Sequence, residues 1–90
     1  TITISGADEG AVLRAAVNVR DTLRRWGNEE VLGPAPAPVL KVNNRYRYRV
    51  LLVGRNDKRT REEIGGLLRA FAGDSANRGF NIFAECNAAE

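Results

Sequence analysis

The fold is decided by residues 31–52, VLGPAPAPVLKVNNRYRYRVLL. Alternating prolines fix φ and remove backbone donors, which excludes residues 33–38 from a helix and from a central strand. We expect a short strand over residues 29–32, followed by a stiff, polyproline-like connector. An alternative use of such a segment is as a recognition peptide for an SH3-type partner.

The second half of this stretch is predicted to be a strand with an arginine at every other position. Asn43 and Asn44 predict a turn before it, and the strand is expected over residues 45–54. Because strand side chains alternate between faces, the arginines share one face and the tyrosines share the other. The arginine face has Arg45, Arg47 and Arg49, and the opposite face has Tyr46, Tyr48, Val50 and Leu52.

A strand and a helix are predicted before the proline segment. Residues 1–5 alternate and are β-branched, which indicates a strand. Asp8 can cap a helix that runs to about Trp26. The apolar stripe of this helix, at steps of three and four residues, is Val12, Ala16, Val19, Leu23 and Trp26.

A helix and a strand are predicted after the arginine strand. The helix is expected over residues 57–72, with Asp57 as its cap. Gly65 and Gly66 lie inside it, and each lowers helix stability by about 1 kcal/mol relative to alanine. We therefore interpret both as points of close packing against the sheet. Residues 80–86 alternate again as a strand, in which Cys86 is interpreted as a small core residue. The buried stripe of the helix is Ile64, Leu67, Leu68 and Phe71.

The predicted order is β-α-β-β-α-β, the ferredoxin-like arrangement of an α+β domain. Two helices are expected to cover one face of a four-stranded antiparallel sheet and to leave the other face open. The expected inward set is Ile2, Ile4, Tyr46, Tyr48, Val50, Leu52, Ile82 and Ala84. The open face then carries the three arginines together with Thr1, Thr3, Leu51, Val53 and Phe83. With one aromatic, it matches the stacking face of an RNA-recognition domain only weakly.

Length and charge narrow the class of protein. We expect the 90 residues to form one small domain, and the absence of methionine indicates a fragment of a longer protein. Residues 41–61 hold eight basic residues and one acidic residue, whereas the rest of the chain holds six basic and ten acidic residues. Such a basic segment is expected of a nucleic-acid contact, with a solvated surface as the alternative. Without a long apolar run or a signal peptide, the chain is expected to be soluble and cytoplasmic.

Residue types that carry catalysis are scarce in the sequence. The chain has no histidine and one cysteine, which removes a common general base and the usual zinc ligands. It also lacks a GxxxxGK(S/T) loop for ATP phosphates. We therefore expect this chain alone to have no enzymatic activity and to hold no cofactor.

Residues 31–52 resemble the C-terminal domain of primosomal protein N′, the family of bacterial replication-restart helicases. In that family a strand ends in LGP, alternating prolines follow, and a basic RYRY or RWRW strand comes next. The matching positions are Leu32-Gly33-Pro34, Pro36, Pro38 and Arg45-Tyr46-Arg47-Tyr48. The flanking helices agree with the family layout, whereas the Asp-x-(Asp/Asn)-Pro-like end is replaced by Glu85-Cys86-Asn87-Ala88.

The resemblance implies a fold similar to ribosomal protein S10 and a role in replication restart. Whole proteins of the family unwind branched DNA with 3′→5′ polarity using ATP, and their ATP, Mg and Zn sites belong to upstream domains. The C-terminal domain is implied to bind DNA, to contact those upstream helicase domains and to help receive the acidic tail of single-stranded DNA-binding protein. The family's tail site has a basic residue at the start of the second helix and a polar residue four positions later. The matching positions are Lys58 and Glu62, with Arg61 as a further cation.

Three interpretations of the basic segment stay open. The first is a DNA-binding accessory domain whose phosphate contacts are Lys41, Arg45, Arg47, Arg49 and Arg55. The second is a module that docks an acidic peptide without touching DNA, through Lys58, Arg61 and Glu62. The third is an S10-like RNA-binding protein. The arginines of the strand could instead pack against other domains of the parent protein, or lie over Leu51 and Val53.

Overall fold

A computed structural model describes residues 1–26, 30–53 and 58–85 of the chain. The elements are β1 (Ile2–Gly6), α1 (Glu9–Arg25), β2 (Val31–Val42), β3 (Arg45–Leu52), α2 (Lys58–Gly73), a short 3₁₀ helix (Ser75–Asn77) and β4 (Asn81–Ala84). The strands form one antiparallel sheet in the order β2-β3-β1-β4. This topology confirms the predicted α+β class and is consistent with the ferredoxin-like fold.

The core lies between one sheet face and the two helices. Even-numbered side chains of β1 and β3 point towards the helices, and Ile2, Ile4 and Val50 are fully buried there. The helices contribute Val12, Ala15, Ala16, Val19 and Leu23 from α1, and Leu67 and Phe71 from α2. The expected inward set is confirmed apart from two members: Leu52 and Ile82 are half-buried against the core, whereas Tyr46 is half-buried outside it and Ala84, the last residue of β4, is exposed.

The start of α1 follows the prediction, and its end differs at one residue. A carboxylate oxygen of Asp8 accepts a hydrogen bond from the Gly10 N–H at 3.1 Å and caps the helix. Trp26 was expected to complete the buried stripe, but its side chain is 44% exposed. It occupies the C-cap position, where the chain leaves helical geometry, so the helical period no longer places its side chain on the core face.

The proline segment belongs to the sheet, which corrects the predicted short strand and separate connector. A single strand, β2, covers Val31–Val42 and pairs with β3. Prolines are tolerated because β2 is the edge strand, where a missing N–H on the outer side breaks no ladder bond. As predicted, β2 turns into β3 at Asn43 and Asn44, whose positive φ angles of 52° and 62° suit a two-residue hairpin.

The interpretation of Gly65 and Gly66 as close-packing positions is wrong. Within 4 Å, and among the described residues, a Cβ atom added to either glycine would meet only the guanidinium of Arg69, at 3.4 Å from Gly65 and 4.0 Å from Gly66. The sheet therefore does not require glycine at these positions, and α2 continues through both.

The remaining boundaries are shorter than predicted, or lie outside the described residues. β3 ends at Leu52, and β4 covers only Asn81–Ala84 of the expected residues 80–86. Three predictions concern residues outside the described ranges: the helix cap at Asp57, the core role of Cys86 and the DNA contact of Arg55.

Candidate nucleic-acid interface

The open sheet face is built by the odd-numbered residues of β1 and β3 and their neighbours on the edge strands. Across this face Arg49 pairs with Thr3, and Thr3 pairs with Phe83. One row along, Arg47 pairs with Ser5. Thr3 and Ser5 are buried although no helix covers this side, because they lie on a central strand between larger side chains. The long side chains of β3 and β4 therefore project further from the sheet than the small side chains of Thr3 and Ser5 between them.

Arg47 holds an irregular part of β2 against this face. Between Pro36 and Lys41, β2 has four residues where β3 has only Arg47. We call these residues 37–40 the bulge. The Nε and Nη2 atoms of Arg47 both donate to the carbonyl oxygen of Val39, at 3.1 and 2.9 Å. The bulge therefore lies beside the arginine row, and these two hydrogen bonds hold the Arg47 guanidinium in place.

Arg45 is also bound by the backbone, at the other end of the arginine row. Its Nη2 donates to the carbonyl oxygens of Ser5, at 3.1 Å, and Gly79, at 2.9 Å. It therefore joins β3 to the end of β1 and to the loop before β4. Because carbonyl oxygens are neutral, these bonds leave the positive charge of Arg45 uncompensated.

Arg49 differs from the other two arginines of the row in its contacts. It makes no hydrogen bond or ion pair in the part of the chain that the structure describes. It lines two clefts on the open face. The polar cleft, of about 250 Å³, also has Thr1, Thr3, Pro38, Arg47, Phe83 and Glu85. The apolar cleft, of about 230 Å³, also has Leu32, Gly33, Pro36 and Leu51.

The structure does not place Lys41 with the arginine row. Lys41 pairs with Tyr46 across the hairpin, and its Nζ lies 5.1 Å from the centroid of the Tyr46 ring. Residues paired across antiparallel strands share a face, so Lys41 lies on the tyrosine side of the sheet. Its ammonium is held by a cation–π contact at the edge of the domain.

The residues matched to the peptide-tail site lie on α2, in the helical layer. Lys58 and Glu62 are exposed, and the spacing of Lys58, Arg61 and Glu62 places them on one side of the helix. Next to them Arg59 approaches Glu63 at 4.0 Å, a weak surface pair. The structure thus separates the two predicted sites: the arginine row is on the open face, and the tail site is on the opposite layer.

The contacts that hold the sheet in place from the helical side were not predicted from the sequence. From α1, Arg24 donates to the carbonyl of Val31 at 2.9 Å, and Arg20 donates to that of Gly33 at 3.3 Å. These bonds hold the first part of β2. The only signal in the sequence was the position of both arginines beside the apolar stripe of α1.

A second missed contact joins α1 to β3. The Tyr48 hydroxyl donates to Oε2 of Glu9 at 2.8 Å. This hydrogen bond to a carboxylate, aided by desolvation and by the charge of Glu9, raises the pKa of Tyr48 above its ordinary value of 10.0. The inward face of β3 is therefore fixed to the first turn of α1.

Within residues 1–26, 30–53 and 58–85, no group of three acidic or thiol side chains is placed to hold a metal ion. In these ranges, no helix is long and apolar enough to cross a membrane.

The fold and this face define a small α+β domain with a ferredoxin-like topology and an arginine-bearing open sheet. Residues 1–86 match the family described as the primosomal protein N C-terminal domain. The chain belongs to this family, which confirms the resemblance carried by residues 31–52. No curated protein matches the chain.

Proposed function

We propose that this chain is a DNA-binding accessory domain of a replication-restart helicase, acting on the phosphate backbone of forked or single-stranded DNA. Membership of the primosomal family supports the setting in replication. The proposal includes a cytoplasmic location and contact with the upstream helicase domains of the same protein. It also assigns unwinding, with its ATP, Mg and Zn sites, to those upstream domains and not to this chain.

The observation that carries DNA contact is the state of Arg49. This guanidinium has no polar partner among the described residues and stands between two clefts on an open face. Arg45 and Arg47 are bound to neutral carbonyls, so they add positive potential beside it without losing their charge. Contacts of this kind give affinity for phosphates but no sequence preference.

Fluorescence anisotropy with a labelled forked duplex, measured across a salt series, tests this proposal. If each of the three arginines neutralises one phosphate, the log–log slope of the binding constant against salt should be about −3, from about −0.9 per contact. Arg49→Gln should weaken binding and reduce the slope by about 0.9. Arg14→Gln is the matched control, because Arg14 is an exposed arginine on α1, in the other layer. Absence of binding at low salt, or equal slopes for both variants, would reject the assignment.

Docking of an acidic peptide on α2 is the second candidate function. The first turn of α2 has Lys58, Arg59, Thr60 and Arg61 and no acidic residue. Cations at the N-terminus of a helix interact unfavourably with the helix dipole. Cations that do not favour the helix suggest a ligand, and the acidic tail of single-stranded DNA-binding protein has the complementary charge. Titration with an acidic peptide ending in Phe tests this function, and a response unaffected by Lys58→Ala would rule it out.

An RNA-binding role is the remaining alternative, since the arginine face would also attract RNA phosphates. Competition between forked DNA and a structured RNA of the same length distinguishes the two. Equal affinity for both would replace the DNA assignment with a general nucleic-acid one.

A further inference from the structure

We propose that the polar cleft binds one unpaired nucleotide of a DNA single strand, with its base against Phe83 and its phosphate on Arg49. This inference rests on the proposed DNA binding and specifies which form of DNA the open face takes. It follows from the dimensions of the cleft, the chemistry of its two sides and the fixed position of Arg47.

The cleft is too small for more than one planar group. Its volume of about 250 Å³ lies below the ~300–1,000 Å³ of pockets that enclose a whole drug-sized ligand. Pro38 of the bulge bounds it on one side, and Phe83 bounds it on the other. A duplex keeps its bases stacked inside and shows only their edges in its grooves, so it cannot place a base in such a cleft. A single strand can, because its bases are free to turn outward.

Phe83 has the properties of a stacking surface. Phe83 is 41% exposed on the open face, whereas Phe71 and Phe80, whose ring centroids lie 6.2 Å apart, belong to the core on the helix side. Phe83 and Arg49 flank Thr3 in one cross-strand row, so about 10 Å of sheet separates their backbones, from ~4.8 Å per strand. Both side chains are long enough to lean over Thr3, which is small and buried. A base stacked on the Phe83 ring and a phosphate bound by the Arg49 guanidinium together occupy this cross-strand row.

The charges of the cleft give the nucleotide a direction. Arg47 and Arg49 lie on the β3 side, whereas Glu85 follows β4 on the far side. Phosphate is attracted to the arginines and repelled by Glu85, whose carboxylate can instead accept from an N–H group of a base, such as N3–H of thymine. Since Arg47 is held by the carbonyl of Val39, Arg49 is the guanidinium left to turn towards the phosphate. The apolar cleft beyond Arg49 offers Leu32 and Leu51 to the neighbouring sugar or base.

The test compares a short labelled oligothymidylate with a blunt duplex of the same length, using the whole chain. Phe83→Leu should weaken binding of the oligothymidylate by roughly tenfold, as loss of one stacked base does, and leave duplex binding unchanged. Phe83→Tyr keeps a ring and should bind like the parent chain. Trp26→Leu is the matched control, because Trp26 is similarly exposed, at 44%, but lies at the end of α1.

The possible results separate this inference from the proposed function. Absence of binding to either DNA overturns both. Binding to both DNAs that is indifferent to Phe83→Leu overturns the nucleotide site and leaves DNA contact standing. Displacement of the oligothymidylate by an oligoglutamate, with equal affinity in the Phe83→Leu variant, assigns the cleft to an acidic protein segment and also overturns the inference.

Discussion

Gly33 is the residue at which the backbone of β2 meets that of β3. Its φ is +99°, and a Cβ atom added there would lie 2.8 Å from the carbonyl oxygen of Arg49. The positive φ strains any L side chain, and the neighbouring atom belongs to a backbone that cannot turn aside. The carbonyl of Gly33 also accepts a hydrogen bond from Arg20 of α1. A single glycine therefore sets how closely the edge strand approaches the arginine row.

Gly33→Ala should lower the free energy of unfolding by about 2 kcal/mol or more, because it combines backbone strain with a clash. Urea denaturation followed by circular dichroism measures the change. Gly73→Ala is the control, since a Cβ atom there would meet none of the described residues within 4 Å. Equal stability of the two variants would contradict the close approach at Gly33.

The arginines show what strand alternation predicts and what it leaves open. Alternation places Arg47 and Arg49 on the open face, where both line the polar cleft. It does not predict that Arg47 is bound to Val39, because that contact exists only where β2 gains extra residues against β3. Nor does it predict that Lys41 lies with the tyrosines, which depends on the register of the hairpin. The spacing of the arginines therefore predicts which sheet face they occupy, whereas their hydrogen-bond partners depend on the register of the strands.

Among the elements, β2 shows how a proline-rich segment can belong to a sheet. Proline chemistry predicted an extended segment that is not a central strand, and both features hold. Its pairing with β3 could not be read from residues 33–38, because that pairing depends on the register set by the hairpin at Asn43 and Asn44. The prolines also leave gaps in the donors of an exposed sheet edge, which disfavours pairing with another chain.

The second helix gives a prediction at the same scale. Gly65→Ala and Gly66→Ala should each raise the free energy of unfolding by up to about 1 kcal/mol, because alanine is the better helix former and the space for a methyl group exists. Thermal unfolding of the two variants measures the gain. A loss of stability in either one would mean that the glycine meets a surface after all.

At the scale of the whole molecule, the hydrogen bond from Tyr48 to Glu9 connects the two layers. It joins the inner face of β3 to the first turn of α1. Since the folded state raises the pKa of Tyr48 above 10.0, its contribution to stability is complete below that pH and is lost as the pH rises through the folded pKa. The domain should therefore lose stability in alkaline solution earlier than a variant without this phenol.

A titration of near-ultraviolet absorbance tests this linkage. In a Tyr46→Phe background Tyr48 is the sole tyrosine, and its midpoint should lie above that of the same chain unfolded in urea. Glu9→Gln should move the midpoint back down, because it removes the carboxylate that favours the protonated phenol. A midpoint that ignores Glu9→Gln would exclude the hydrogen bond as the cause.

The order of elements was the most predictable property of the molecule. Helical and strand periods in the sequence are sufficient to give β-α-β-β-α-β, and the strand order of the sheet agrees with it. The polar cleft was not predictable, because it lies between the bulge of β2 and Phe83 of β4, which are far apart in the chain.

If both proposed sites bind their ligands, the separation of Arg49 from Lys58 into opposite layers lets the domain hold one ligand on each side. Its Cα atoms span 17 Å along the shortest axis, about twice the ~8 Å screening length at physiological ionic strength. Ligands held on the two sides would hardly sense each other's charge. A nucleic acid and an acidic peptide could then occupy the domain together, each at its own affinity, so that the domain tethers one to the other without choosing between them.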